Sequence, residues 1–300
     1  MRSAALTLDR VSERVPLSSR SSSLHWLWLL SRDSGALVGG SIVLAVLLLA
    51  LFGPSLTGYD PFRAEPFNRL LAPSSSHWLG TDALGRDELT RMLYGARISL
   101  LVGLGTTLAS TLLGGLVGLI AGYFRAVDGL LMRIMDGLMA FPSILLAVAI
   151  MAVRGPSVEN VILAITVTTV PRLARLIRGQ VLVTRELAYV EAATAVGAKP
   201  WQILIRHILP NSFSPLIIQG SFTFAVAVVT EASLSFLGAG VPPQQPTWGN
   251  MLQEGMAMMT VAPWVSVFPG LALAITVLGL NLLGDGLRDS LDPRIGEVSA

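Results

Sequence analysis

Residues able to do chemistry are few in this chain and widely spaced. It contains no cysteine, which removes disulfides, thiolate metal sites and a cysteine nucleophile. His25, His77 and His207 are far apart and show no ligand-like spacing, so no metal site is expected. The single lysine, Lys199, follows Ala198 and precedes Pro200. A phosphate-cradling loop needs Gly-Lys-Ser/Thr, so no nucleotide site of that kind exists here and no catalytic residue is assigned. Two charge pairs, Arg133 with Asp136 and Asp285 with Arg288, have a spacing that lets them meet on one helix face. Glu231 stands alone in an apolar run, where a carboxylate costs about 2.5–3.5 kcal/mol on insertion scales. Such a group faces a cavity, the bundle interior or a partner. It either lines a solute path together with Ser233, or makes a structural hydrogen bond to Ser233 or a neighbouring helix.

The elements that position these residues follow from composition. Apolar residues make up 52% of the 300-residue chain and charged residues only 13%, with a mean hydropathy of +0.66. Soluble domains carry about 25% charged residues, so lipid replaces water around much of this chain. A spanning helix needs about 20 mainly apolar residues, and six stretches qualify: Ala36–Leu56, Ile98–Gly122, Gly129–Val153, Val158–Leu176, Pro215–Gly238 and Trp264–Leu287. The expected fold is therefore an all-α polytopic membrane bundle. Pro142, Pro171 and Pro269 interrupt spans and are expected to bend them. Ser110, Gly114, Gly118 and Gly122 recur every four residues, a stripe that suits close helix packing within the subunit or at a dimer seam.

Basic residues set the orientation. With the N-terminus in the cytoplasm, fifteen Lys and Arg fall on the cytoplasmic side and six outside, which predicts both termini inside. Arg172, Arg175 and Arg178 then lie near cytoplasmic headgroups, to which they are expected to snorkel. Residues 1–34 read as a cytoplasmic tail with Trp26 and Trp28 near the interface. A signal peptide is disfavoured, because Leu24–Leu30 is short and no small-residue cleavage site follows. The remaining organisation is a first span with an outer loop (35–97), a five-helix core (98–294) that includes a cytoplasmic loop at 180–213, and a short tail (295–300).

That cytoplasmic loop is the most informative segment. Glu191, Ala192 and Ala193 open a run of helix formers, Gly197 suits the left-handed residue that ends a helix, and Pro200 suits the first turn of the next. The second helix places Trp201, Ile203, Leu204 and Ile208 as its apolar residues, and Pro210 disfavours further helix. The loop is either an amphipathic connector or a short projecting helix whose alanines let another protein's backbone approach.

The run Glu191-Ala192-Ala193, Gly197, and Leu209-Pro210 after a gap of eleven residues resembles the cytoplasmic signature loop of bacterial ATP-binding-cassette import permeases. His207 stands where the general pattern has isoleucine, and His-Ile-Leu-Pro-Asn is the form usual in the dipeptide and oligopeptide branch. Leu79-Gly-Thr-Asp82-Ala-Leu-Gly85-Arg86-Asp87 with Arg91, Gly95, Arg97, Ser99 and Leu100 is similar to the approach to the second span in one of the two peptide-permease subunits. Glu231-Ala-Ser-Leu-Ser-Phe-Leu-Gly238 with Trp248-Gly-Asn-Met251 resembles its fifth span and outer loop, and Asn281 to Arg294 resembles its end. The resemblance covers residues 37–294. It implies the second, C-type permease of a peptide/nickel-type importer in the bacterial inner membrane. It further implies a second homologous permease as heterodimeric partner, two cytoplasmic subunits that bind ATP in place of any cofactor here, and an extracytoplasmic binding protein. Beyond these and membrane lipid, no nucleic-acid partner is expected. On this resemblance Glu191, Ala192, Ala193, Gly197, Leu209 and Pro210 couple to the ATPase. A different class, the proton-coupled secondary transporter with Glu231 or Asp136 as its proton site, needs no docking loop. Its usual sign, interrupted helices in matching halves, is not visible in the sequence.

Overall fold

The computed structural model describes residues 33–291. The tail with Trp26 and Trp28, and Arg294 at the other end, lie outside them. Among the described residues there is no named strand, only an isolated bridge between Thr81 and Asp87. The helices are α1 (Ser34–Leu56), α2 (Glu88–Tyr123), α3 (Arg125–Met139), α4 (Ser143–Arg154), α5 (Val158–Thr184), α6 (Ala188–Ala195), α7 (Pro200–Ile203), α8 (Leu209–Phe236), α9 (Trp248–Met256) and α10 (Trp264–Leu291). Five helical stretches are long and apolar enough to cross a membrane, and six if α3 with α4 counts as one broken span. The long helices alternate in direction, so α6 lies at one end of the bundle and α9 at the other.

The long helices expose large apolar side chains outward, as Leu108, Leu112 and Leu116 do on α2 and Phe213, Ile217 and Val226 on α8. The opposite face of α2 is the small-residue stripe, and it packs on α5 within the subunit. A Cβ on Gly118 would stand 2.6 Å from the Ala174 carbonyl oxygen and 2.8 Å from the Ile177 Cβ. Only a hydrogen fits there, which is why α2 and α5 meet so closely. Helix α1 packs along α10 through a similar close approach of Gly39 to the Leu283 backbone. Pro54 in α1 cannot bond the Ala50 carbonyl, and Arg97 Nε donates to that oxygen at 2.5 Å instead.

Several expectations need correction. The span Gly129–Val153 is not one helix: it breaks between Met139 and Ser143, where the two halves meet at 89°. Pro142 forces the residue before it out of the helical region, and the bend follows. Pro210 does not stop its helix. The π turn Leu204–Ile208 lets the Leu209 N–H bond Leu204 O, five residues back, and Asn211 Nδ2 donates to the His207 carbonyl at 2.5 Å. With the wider turn carrying the backbone past the ring, the helix runs on through Pro215. Asp136 pairs with Arg175 on α5 rather than with Arg133. Arg178 makes a two-pronged pair to Asp128 on α3, Nε at 2.5 Å and Nη2 at 2.6 Å, so two of the three arginines expected to snorkel are held by protein carboxylates. Asp285 and Arg288 form no ion pair among the described residues. Pro171 and Pro269 stay inside continuous helices.

Candidate functional site: a projecting helix and a polar face

At one end of the bundle α6 sits on an apolar seat. Val190 is buried among Leu119, Ile177, Val181, Ile203, Leu204, Ile208 and Leu216, with Ala193 and Ala198 at the edge. Its other side is open, so Glu191, Ala192 and Ala195 face outward, and Val196 beyond the last turn is 86% exposed. The helix ends as its sequence dictates. Gly197 takes φ +84°, its N–H bonds Thr194 O at 3.0 Å and the Ala198 N–H bonds Ala193 O at 3.1 Å. This pair of bonds is the Schellman closure, and the left-handed residue it requires is the one glycine tolerates. Two residues later Pro200 opens α7, and Gln202 Oε1 accepts from the Lys199 N–H at 3.1 Å.

Glu191, Ala192, Ala193 and Gly197 therefore share one short helix. Leu209 and Pro210 lie on the next helical stretch, where Leu209 packs against the same seat and Pro210 is exposed. Asn211 Nδ2 also donates to Tyr189 Oη at 3.0 Å, tying the two halves of the motif together.

Glu231 lies fully inside α8 and away from Ser233. It accepts from Ser99 of α2 at 2.8 Å and from Ser235 at 2.8 Å. Ser233, two residues on, points to another side and donates to Val229 O. Helical geometry explains the difference, since residues four apart share a face and residues two apart do not. Ser99 has no sequence cue beyond belonging to the block that enters α2.

The opposite end holds a cluster that spacing alone does not reveal. Arg86 Nε donates to Asp82 at 2.6 Å, Arg86 Nη2 to Glu254 at 2.9 Å, and Arg91 Nη2 to both Glu254 oxygens at 3.1 and 2.9 Å. Arg91 Nε also stands 3.3 Å from Asp82 Oδ2, an electrostatic contact without hydrogen-bond alignment. Asp82 and Arg91 are buried, and Glu254 reaches them from α9, 163 residues beyond Arg91. Beside them His77 Nδ1 contacts Asp87 Oδ1 at 2.9 Å, while Asp87 Oδ2 caps α2 by accepting from the Thr90 N–H. Gly85, at φ +80°, passes so near Glu65 O that a Cβ would lie 1.9 Å from it. Trp264 Nε1 donates to Thr81 O and Trp248 Nε1 to Met92 O, each at 3.2 Å. The blocks around Gly80, Trp248 and Trp264 are thus one knot that closes this end. Among the described residues no group of three His, Asp or Glu could hold a metal ion.

A bundle of apolar spans with a projecting helix seated at one end and a polar knot at the other defines a polytopic all-α membrane protein. Residues 97–297 match the family described as the binding-protein-dependent transport system inner membrane component, and residues 26–73 match the N-terminal transmembrane domain of oligopeptide transport permease C. The chain is 45% identical over 267 residues to a dipeptide transport system permease of Alkalihalophilus pseudofirmus, covering 89% of this chain and 88% of the other. It is 46% identical over 266 residues to a glutathione transport system permease of Pectobacterium atrosepticum, covering 88% of each. A probable peptide ABC transporter permease of Sinorhizobium fredii is 47% identical over 258 residues, covering 86% of this chain and 88% of its own length. The chain belongs to this family of binding-protein-dependent permeases and is a multi-pass inner-membrane protein.

Proposed function

We propose that this chain forms half of the translocation pathway of an ATP-binding-cassette importer for peptides or similar small solutes. In this reading α6 faces the cytoplasm and seats in a separate ATPase, a homologous permease completes the pathway, and an extracytoplasmic binding protein delivers solute to the α9 end. Both termini are then cytoplasmic, with 35–97 as the first span and outer loop and 98–294 as the permease core. ATP is handled by the partner subunits, so the chain itself is not an enzyme.

The observation that carries the reading is the build of α6: one side fixed by Val190 in an apolar seat, the other an open surface of Glu191, Ala192 and Ala195. A helix of eight residues is too short to be stable alone in water, so its anchoring and its Schellman closure keep a surface ready for a partner. Rigid-body movement of a docked ATPase would then shift the spans between two states.

The test is uptake of a radiolabelled dipeptide into proteoliposomes that carry the chain with its companion subunits. Uptake is expected to require ATP. Accumulation driven by a proton gradient without ATP, or by the purified chain alone, would refute the proposal in favour of a secondary transporter.

A further inference from the structure

Of the three arginines on α5, Arg175 and Arg178 are paired to Asp136 and Asp128. Arg172 has no carboxylate partner among the described residues. It opens into a crevice of about 60 Å³ between α5, α8 and the first turn of α4, lined also by Ser143, Thr168, Thr169, Gln219 and Thr223. No acidic residue lines this crevice. Thr168 and Thr169 spend their hydroxyl protons on Ile165 O. Gln219 and Thr223 make no side-chain hydrogen bond among the described residues, although Thr223 is only 3% exposed. Ser143 begins α4, and the unbonded backbone N–H groups of a helix start favour an anion. The crevice is therefore a donor-rich, cationic recess without its counter-charge.

Arg172 lies four residues before Leu176, the inner end of the span read from the sequence, about 6 Å at 1.5 Å per residue, so a lipid phosphate and a carboxylate both come within reach of it. Water takes about 30 Å³ per molecule, so the recess admits a small anionic group and not a whole solute. We propose that Arg172, with Gln219 and Thr223, receives the carboxylate of the solute during translocation. This rests on the importer reading above and adds the chemical group that the pathway selects. The other sources of the same chemistry are a lipid phosphate and a carboxylate of the partner permease.

The test uses the whole transporter in proteoliposomes, with a dipeptide and its C-terminal amide as probes, each at a concentration that saturates the binding protein. Arg172→Gln is expected to lower maximal uptake of the free acid about tenfold, the loss of one charge-assisted hydrogen bond, and to leave the amide unchanged. Arg172→Lys, which keeps the charge, is expected to lie between. Thr223→Asp, which supplies an internal carboxylate, is expected to depress free-acid uptake while the thermal stability of the complex holds. An equal fall for both probes would assign Arg172 to a lipid phosphate or to a carboxylate of the partner subunit and overturn the proposal, as would no change for either. Absence of ATP-driven uptake by the unmodified complex would instead remove the importer reading itself.

Discussion

Replacing Arg91 with methionine tests whether the buried charges at the α9 end act as one unit. Arg91 is fully buried and binds Glu254 through two hydrogen bonds while standing against Asp82. Removing one partner of a buried ion pair costs about 3–5 kcal/mol. Arg86 still holds Asp82 at 2.6 Å and Glu254 at 2.9 Å, so neither carboxylate is orphaned and the lower end, about 3 kcal/mol, applies. At about 2–4 °C per kcal/mol for a chain of this size, Arg91→Met lowers the melting temperature by about 6–12 °C. Glu254 is partly open to water, so Glu254→Gln costs about 1.5 kcal/mol. The double variant is expected to lose about 1.5 kcal/mol less than the sum, because each change removes the same bonds. Thermal unfolding in detergent can be followed by tryptophan fluorescence, to which Trp264, whose indole bonds Thr81 beside the cluster, is one of six contributors. Additivity within about 0.5 kcal/mol would show that Arg91 and Glu254 are not coupled and refute the reasoning.

Gly118→Leu is expected to destabilise the bundle by about 1–3 kcal/mol or more, because its side chain would press on the α5 backbone; an unchanged melting curve would contradict the packing of α2 on α5. Gly197→Pro and Glu191→Lys are expected to abolish ATP-driven uptake while the chain still inserts, since they disrupt the closure and the open face of α6; uptake at the unmodified rate would remove the docking role. Glu231→Gln keeps the shape of the group held by Ser99 and Ser235, so stability is expected to change by no more than about 1 kcal/mol. The transport rate of that variant decides whether the carboxylate acts directly, and a rate equal to wild type excludes it.

Much of this architecture is readable along the chain wherever the deciding contacts are local. Gly197 and Pro200 mark the end of α6 and the start of α7 because a left-handed cap and a missing N–H act on their own residues. The four-residue stripe on α2 is legible for the same reason, although its partner α5 is not. What stays hidden depends on distance. Glu254 meets Arg91 across 163 residues, Ser99 meets Glu231 across 132, and Arg178 meets Asp128 across 50, whereas spacing favours nearer pairings such as Arg133 with Asp136, which this structure does not make. Pro210 misled because a proline reads as a stop, while a π turn just before it changes which carbonyls need a donor. The polar crevice at Arg172 was missed because its residues come from three helices, and none forms a motif by itself.

The stretch from Pro200 to Phe236 carries 37 residues without a loop, about 55 Å of rod at 1.5 Å per residue. A stiff member of that length has little give with which to soak up a push. Any load placed beside its Pro200 tip is carried to the far rim as tilt, so displacement there scales with leverage rather than with local softness.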